Sequence, residues 1–263
     1  MKKICELIWL LEASVLLFSA YNEVTFGCSP TMKGTKVSSK NSFLKRYLDS
    51  GNKINTVFDV GVNERTQELI NLFPDALHYL FEPSTIYNEK IYTYYASINH
   101  SLHNIALADK NEITYIIETS LKKDGVITHA RMSPHYIEPN GLSIVRCSEV
   151  EIKRLDSMFD AIPANSLLKI DTDGSDLLVL KGCGDLLQSF SIILVEAALH
   201  KFSETVSFLE EKGFAFRDMV DRCYYHERLW QADLVFFPVD AIPDGWDHNP
   251  SVNFKREAYI ECD

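Results

Sequence analysis

The chain has 263 residues, 46% of them hydrophobic, and a formal net charge of −11. That length supports one sizeable core with room for a small subdomain, at ~100–200 residues per domain. An acidic chain with no run of five like charges has no footprint for nucleic acid, so the expected partner is a small molecule or a neutral glycan.

The chain opens with MKKICELIWLLEASVLLFSA. Lysines followed by an apolar run resemble a signal peptide, but Glu6 and Glu12 interrupt the run, and Phe18 and Ala20 make a poor cleavage site. The run is also shorter than the ~20 apolar residues a spanning helix needs. Leu7, Ile8, Leu11, Val15 and Phe18 recur at helical spacing. The expected element is an amphipathic helix packed on the domain or on a partner; contact with a membrane surface and a signal peptide are the alternatives. Residues 24–41, rich in Ser, Thr, Gly and Lys, read as a linker. Residues 1–41 thus precede a folded domain over 42–240, and 241–263 form a tail.

Within the domain, SFLKRYLDSG predicts a short helix ending at Gly51. From there strands and helices alternate. TVFDV (56–60) is a strand buried on both faces. TQELINLFP (66–74) is a helix with Leu69, Leu72 and Phe73 on one face, stopped by Pro74. HYLFE (78–82) and LHNIAL (102–107) are the next strands, followed by LLKID (167–171) and SIILVE (191–196). A helix over 203–213 starts on Ser203 and stops on Gly213. FAFRDM and QADLVFFPV form an edge pair of strands. Alternation of this kind predicts a parallel sheet with helices on both faces. Residues 109–166 break it: EITYIIET and SIVRCSEVEIKRL read as strands, and KKDGVITHARMSPHYIEPNG between them as a long loop. The cysteines Cys5, Cys28, Cys147, Cys183, Cys223 and Cys262 are far apart with no CxxC, which fits reduced thiols of a cytosolic protein and neither a zinc site nor a disulfide framework.

In an open α/β sheet a ligand sits beyond the carboxyl ends of the strands, where the topology reverses. The first strand ends at Asp59-Val60-Gly61, and the second at Glu82, 21 positions after Gly61. An acid at that distance suits a ribose diol. A dinucleotide would want G-x-G-x-x-G, and G-V-N-E-R-T has only the first glycine. Asp59 and Glu64 beside it would repel a pyrophosphate but suit a positive amine or sulfonium. S-adenosylmethionine carries both. An acid-glycine turn also occurs as plain structure, so the turn alone does not decide.

FDVGVN, HYLFEPS, HNIALAD, EIKRLDSMF, LLKIDTDGSDLLVLKG, IILVEAALH and QADLVFF follow one another in order. The set resembles the FkbM family of S-adenosylmethionine-dependent methyltransferases over roughly residues 42–240. The resemblance implies an α/β fold: a Rossmann-like, seven-stranded class I methyltransferase sheet with helices on both faces. An inserted hairpin or loop lies at about 109–166. It also implies methyl transfer, often to a hydroxyl of a sugar or natural product. Relative to the family's usual form the turn after Gly61 is about two residues short. By match to the family motifs, Asp59, Gly61, Asn63 and Thr66 would line the methionine end, Glu82 would hold the ribose, and Asn104, Ile105 and Ala106 would flank the adenine.

Methylating an alcohol requires a positioned base. Asp171 at the end of the fourth strand, Glu196 at the end of the fifth and His200 just after it are the candidates. Asp171 is also placed to orient the cofactor amine, Glu196 to hydrogen-bond substrate, and His200 to stand as a surface residue. His129, Arg131, His135 and Tyr136 in the long loop are candidate acceptor contacts. Asp171, Asp173 and Asp176 lack the ligand pattern of an EF-hand, and Ser175-Asp176 reads better as a helix N-terminus, so no metal is expected; a magnesium shared by Asp171 and Glu196 is the alternative. Tyr87, Tyr92, Tyr94 and Tyr95 fit packing of a helix on the sheet better than sugar stacking. Two rivals to an enzyme of this kind remain: a non-catalytic relative serving as a binding module, and a nicotinamide-dependent oxidoreductase, which the missing glycines disfavour.

Overall fold

A computed structural model describes residues 38–120, 127, 129–139, 144–243 and 246. The expected N-terminal amphipathic helix and most of the tail lie outside the described residues. The first element among the described residues is α1 (Lys40–Asp49), two residues earlier than its sequence pattern implies. Ser39 starts it through a capping box: its hydroxyl accepts from the Ser42 N–H at 3.1 Å, while the Ser42 hydroxyl accepts from the Ser39 N–H at 2.9 Å.

A seven-stranded sheet follows, with β1 (Thr56–Val60), β2 (Leu77–Phe81), β3 (His100–His103), β8 (Ser166–Ile170), β9 (Phe190–Ala198), β10 (Phe214–Tyr225) and β11 (Arg228–Pro238). Its order is β10-β11-β9-β8-β1-β2-β3. Five strands are parallel, and β11 runs antiparallel to both β9 and β10. The expected edge pair is therefore a hairpin, longer than its pattern suggests. Its turn places His226 and Glu227 at φ 47° and 61°, the left-handed backbone a two-residue hairpin needs.

Successive residues of the central strands feed opposite faces of the sheet, which is why they read as unbroken apolar runs. Phe58, Leu168, Ile193 and Phe236 enter one core, beneath α4 (Asp176–Gly182) and α5 (Phe202–Glu211). Val57, Leu167, Ile192 and Val235 enter the other, with Phe43 and Leu44 of α1 and Leu69 of α2 (Gln67–Leu72). On that second face α3 (Asn88–Tyr94) seals the β2 end through Ile91, and Tyr95 beyond it is wholly buried.

Three expectations need correction. The stretch 102–107 is not one strand: β3 ends at His103, and β4 (Ala106–Leu107) belongs to a different sheet. The insert is not a hairpin with a loop. β5 (Glu112–Thr119), β6 (His129–Ser133) and β7 (Ile144–Lys153) join β4 in a four-stranded sheet, ordered β4-β7-β5-β6. It forms because Ala106, Ile116, Val150 and Ile152, with Ala130 and Met132, bury a small core of their own. Finally, Ser203 does not cap α5. A turn off β9, with the Lys201 N–H donating to the Ala198 carbonyl at 2.8 Å, brings the chain into the helix at Phe202, while Gly213 at φ 83° lies just past its end.

Candidate active site

The chain moves outward from β1 to β2 and β3, then returns to β8 on the other side of β1. The crevice beyond the carboxyl ends of β1 and β8 is the reversal point. Gly61 bridges it. The Asp171 N–H donates to the Val60 carbonyl at 3.0 Å, and a Cβ on Gly61, whose φ is 78°, would sit 1.8 Å from the Asp171 carbonyl oxygen. No other residue type fits there.

Glu82 projects from the end of β2 into this crevice. Its Oε2 accepts from the Asn63 N–H at 2.7 Å and its Oε1 from the Ser84 N–H at 2.9 Å. Burial pushes its carboxyl up to about 7, against the pull of those two N–H groups and of Lys169. The Ser84 hydroxyl in turn donates to Glu118, buried on β5 and paired with Arg146 Nε at 3.5 Å.

Of the sequence candidates, Gly61, Asn63, Glu82, Ile105, Ala106, His129, Arg131 and Asp171 line one cavity. His129 and Arg131 reach it from β6 and not from a loop, paired with Thr119 and Ile117 of β5. The other candidates lie elsewhere. Asp59 is wholly buried behind the turn and Thr66 nearly so. Asn104 braces the end of β2, its amide donating to the Glu82 carbonyl at 2.9 Å. Glu196 sits at the end of β9, bonded to Gln231. Burial, then Asp171, Asp176 and Asp233, push its carboxyl up to about 8. His200 lies exposed in the turn after β9. His135 is exposed past β6, and Tyr136 rests edge-on against Tyr115 with ring centroids 5.7 Å apart.

The cavity is also lined by Thr172, which the sequence pattern does not single out, and by Tyr87, Asp173 and Ser175, which it assigns to helix packing, an incomplete metal row and a helix N-terminus. Asp173 stands at φ 51°, and its Oδ2 accepts from the Ala130 N–H at 3.2 Å, joining the β8 turn to β6. The D-T-D-G turn was the available signal. Ser175 makes no side-chain cap; Asp176 organises the turn instead, accepting from the Thr172 N–H at 2.8 Å and the Gly174 N–H at 3.2 Å. Among the described residues no group of three or more His, Cys, Asp or Glu side chains could hold a metal ion.

Chemically, the crevice combines acceptor oxygens at Glu82, Asp171 and Asp173 with an apolar wall at Phe81, Ile105, Leu107 and Ile116. Such a surface accepts hydroxyl and ammonium donors and buries a flat apolar group. Those features fit S-adenosylmethionine, with its ribose hydroxyls, ammonium group and flat base.

No curated protein sequence matches the chain. Solved structures align only loosely. A precorrin-6y C5,15-methyltransferase from Geobacter metallireducens has 13% identity and a TM-score of 0.41, covering 82% of this chain and 100% of that one. An S-adenosylmethionine-dependent O-methyltransferase from Thermotoga maritima has 12% identity and a TM-score of 0.36, covering 78% of this chain and 67% of that one. A family profile described as the methyltransferase FkbM domain matches residues 59–216, more than half of the sequence, from the acid of β1 to the start of β10. The chain belongs to the FkbM methyltransferase family.

Proposed function

We propose that this FkbM-family chain transfers a methyl group from S-adenosylmethionine to a hydroxyl oxygen of a carbohydrate or natural product. The observation that carries the cofactor half is Glu82, a buried carboxylate facing the cavity from the end of β2, 21 positions after the Gly61 turn. When bound, the cofactor supplies an electrophilic methyl on a sulfonium. The chain's own residues bind, orient and move a proton. Glu82 accepts from the ribose hydroxyls, and Ile105 and Ala106 exclude water from the base. Asp171 faces the same cavity and is the base that takes the acceptor's hydroxyl proton; Glu196, raised to about 8 in part by the charge of Asp171, is a second acid near the end of the next strand. Proximity of the two reactants contributes the rest.

Acceptor contacts would come from His129 and Arg131 on β6. The acidic crevice and the net charge of −11 support a small-molecule or glycan partner over nucleic acid. Among the described residues no helix is long and apolar enough to cross a membrane, which is compatible with action in the cytoplasm.

Calorimetric titration with S-adenosylmethionine and S-adenosylhomocysteine tests this reading. The wild type should bind both, and Glu82→Ala should weaken both by at least about tenfold, the worth of one hydrogen bond to a charged group. A wild type that binds neither ligand refutes the reading. Binding justifies a screen of sugar and natural-product hydroxyls by methyl transfer.

A further inference from the structure

Asp59 opens the turn next to the cofactor crevice, yet it is 0% exposed and does not line the cavity. Both of its oxygens face protein. Oδ1 lies 3.1 Å from Lys169 Nζ, its register partner on β8, and Oδ2 accepts from the Tyr95 hydroxyl at 3.3 Å. Each of those partners has a second task. Lys169 Nζ donates to the Gly61 carbonyl at 2.8 Å and lies 3.7 Å from Asp171 Oδ2. The Tyr95 hydroxyl accepts from the Thr66 N–H at 3.2 Å. Thr66 is the N-cap of α2, and its own side chain makes no capping bond.

The network therefore grips the turn at both ends, at the carbonyl where the chain leaves β1 and at the N–H where it enters α2. The span between needs that grip. Gly61 and Asn63 both stand at positive φ, 78° and 55°, and Asn63 lacks the freedom of a glycine. Asn63 in turn presents its N–H to Glu82. A buried ion pair is a weak source of stability by itself, so a purely structural triad would serve as well with apolar residues. These groups instead end on two specific backbone atoms of the ligand-binding turn.

We infer that Asp59, Lys169 and Tyr95 are positioning residues: they hold the Gly61–Thr66 turn in its ligand-binding shape, and Asp59 acts through that turn without touching the ligand. The inference rests on the proposed cofactor. Both partners keep the protonation this requires. Burial would lower the Lys169 ammonium, but Asp59 and Asp171 more than compensate and push it above the usual lysine value. Burial and then the Asp59 charge push the Tyr95 phenol well up, so it remains an O–H donor.

The test compares two ligands in the full chain. S-adenosylhomocysteine reaches the Gly61 turn with its amino-acid end. 5′-Methylthioadenosine lacks that end and relies on Glu82, Ile105 and Ala106. Tyr95→Phe, which removes one hydroxyl, should weaken S-adenosylhomocysteine by about tenfold and methylthioadenosine by about threefold or less, because only the Asn63 bond to Glu82 links the turn to the nucleoside end. Amide hydrogen exchange in the free protein gives a second readout: Tyr95→Phe and Lys169→Met should speed exchange over 61–66 and leave β9 protected. Equal weakening of both ligands, or exchange raised everywhere, would mean a role in folding alone and overturn the inference. No change in either measurement overturns it too. A wild type that binds neither ligand fails the methyltransferase reading itself, whereas a wild type that binds both, with variants that track it, fails only the positioning role.

Discussion

Glu82 is where burial and hydrogen bonding oppose each other most openly. Burial and the neighbouring Glu118 push its carboxyl up to about 7, while the Asn63 and Ser84 N–H groups and Lys169 hold it down. A ribose diol donates to the ionised form, so binding selects that form. Affinity for S-adenosylhomocysteine should therefore rise with pH up to about 7 and level off above it, falling towards tenfold per unit on the acid side. Titrations from pH 5.5 to 8.5 check this, with Glu82→Gln expected to give a weaker and flat profile. A flat wild-type profile would show that the carboxylate is not used. At this scale the sequence was readable where position along the chain decides the matter. Glu82 and Gly61, singled out by their spacing and their strand ends, both line the cavity. Asp59 was placed in the same group because it precedes the glycine, but its neighbours Phe58 and Val60 feed the core beneath α4 and α5, so Asp59 points to the other face. There it meets Lys169, 110 residues away, through a strand pairing that no local pattern announces.

Elements carry the next lesson. The His129–Ser133 strand alternates correctly, with Ala130 and Met132 turned towards the small core and His129 and Arg131 exposed, but two modest apolar residues among proline, glycine and charge were too faint a period to read. The strand exists because β5 and β7 offer it an edge and a core. Its position over the crevice depends on how the small sheet is attached, and one attachment is unusually close. Gly182 in the last turn of α4 lies against the strand that opens the small sheet: a Cβ there would come 2.0 Å from the Ala108 carbonyl oxygen. The obstacle is backbone, so it cannot rotate away. Gly182→Ala should push α4 from the β4 end and cost ~1–3 kcal/mol, the usual range for overpacking. Urea unfolding of the variant against wild type measures it. A change below ~0.5 kcal/mol would mean that the two sheets are joined less tightly than this contact implies.

The molecule as a whole collects acids at one end of its sheet, and that has a consequence for stability. The large sheet was legible because its central strands read as apolar runs and the connections β1–β2, β2–β3, β8–β9 and β9–β10 each carry a helix. What the alternation cannot show is that Glu82, Asp176, Glu196 and Asp233 become buried or partly buried in the folded chain. Burial is the leading cause of a raised carboxyl in all four, to about 7 for Glu82 and about 8 for Glu196. An acid whose folded value lies above its unfolded value binds a proton that the unfolded chain has already released. The folded state then holds more protons, and stability falls as pH rises through the interval between the two values. Here the interval opens near ~4, where unfolded carboxyls ionise, and closes near 8, the value for Glu196. The raised ammonium groups Lys40 and Lys169 act above this window, because their contribution is fully present until pH exceeds the ordinary lysine value. The net charge of −11 adds repulsion in the same direction. Burial lowers His78 and His103, which opposes this trend below the ordinary histidine value. The ligand-free protein should thus decline in melting temperature most clearly between about pH 6.5 and 8, and change little from there to pH 10. Calorimetric scans at constant ionic strength test this directly. A melting temperature that climbs from about pH 6.5 to 8 would show that these carboxyls are stabilised as anions by partners stronger than Lys40 and Lys169. In the presence of S-adenosylhomocysteine the decline should be shallower, because a ligand that takes Glu82 ionised binds more tightly as pH rises and so offsets part of the loss.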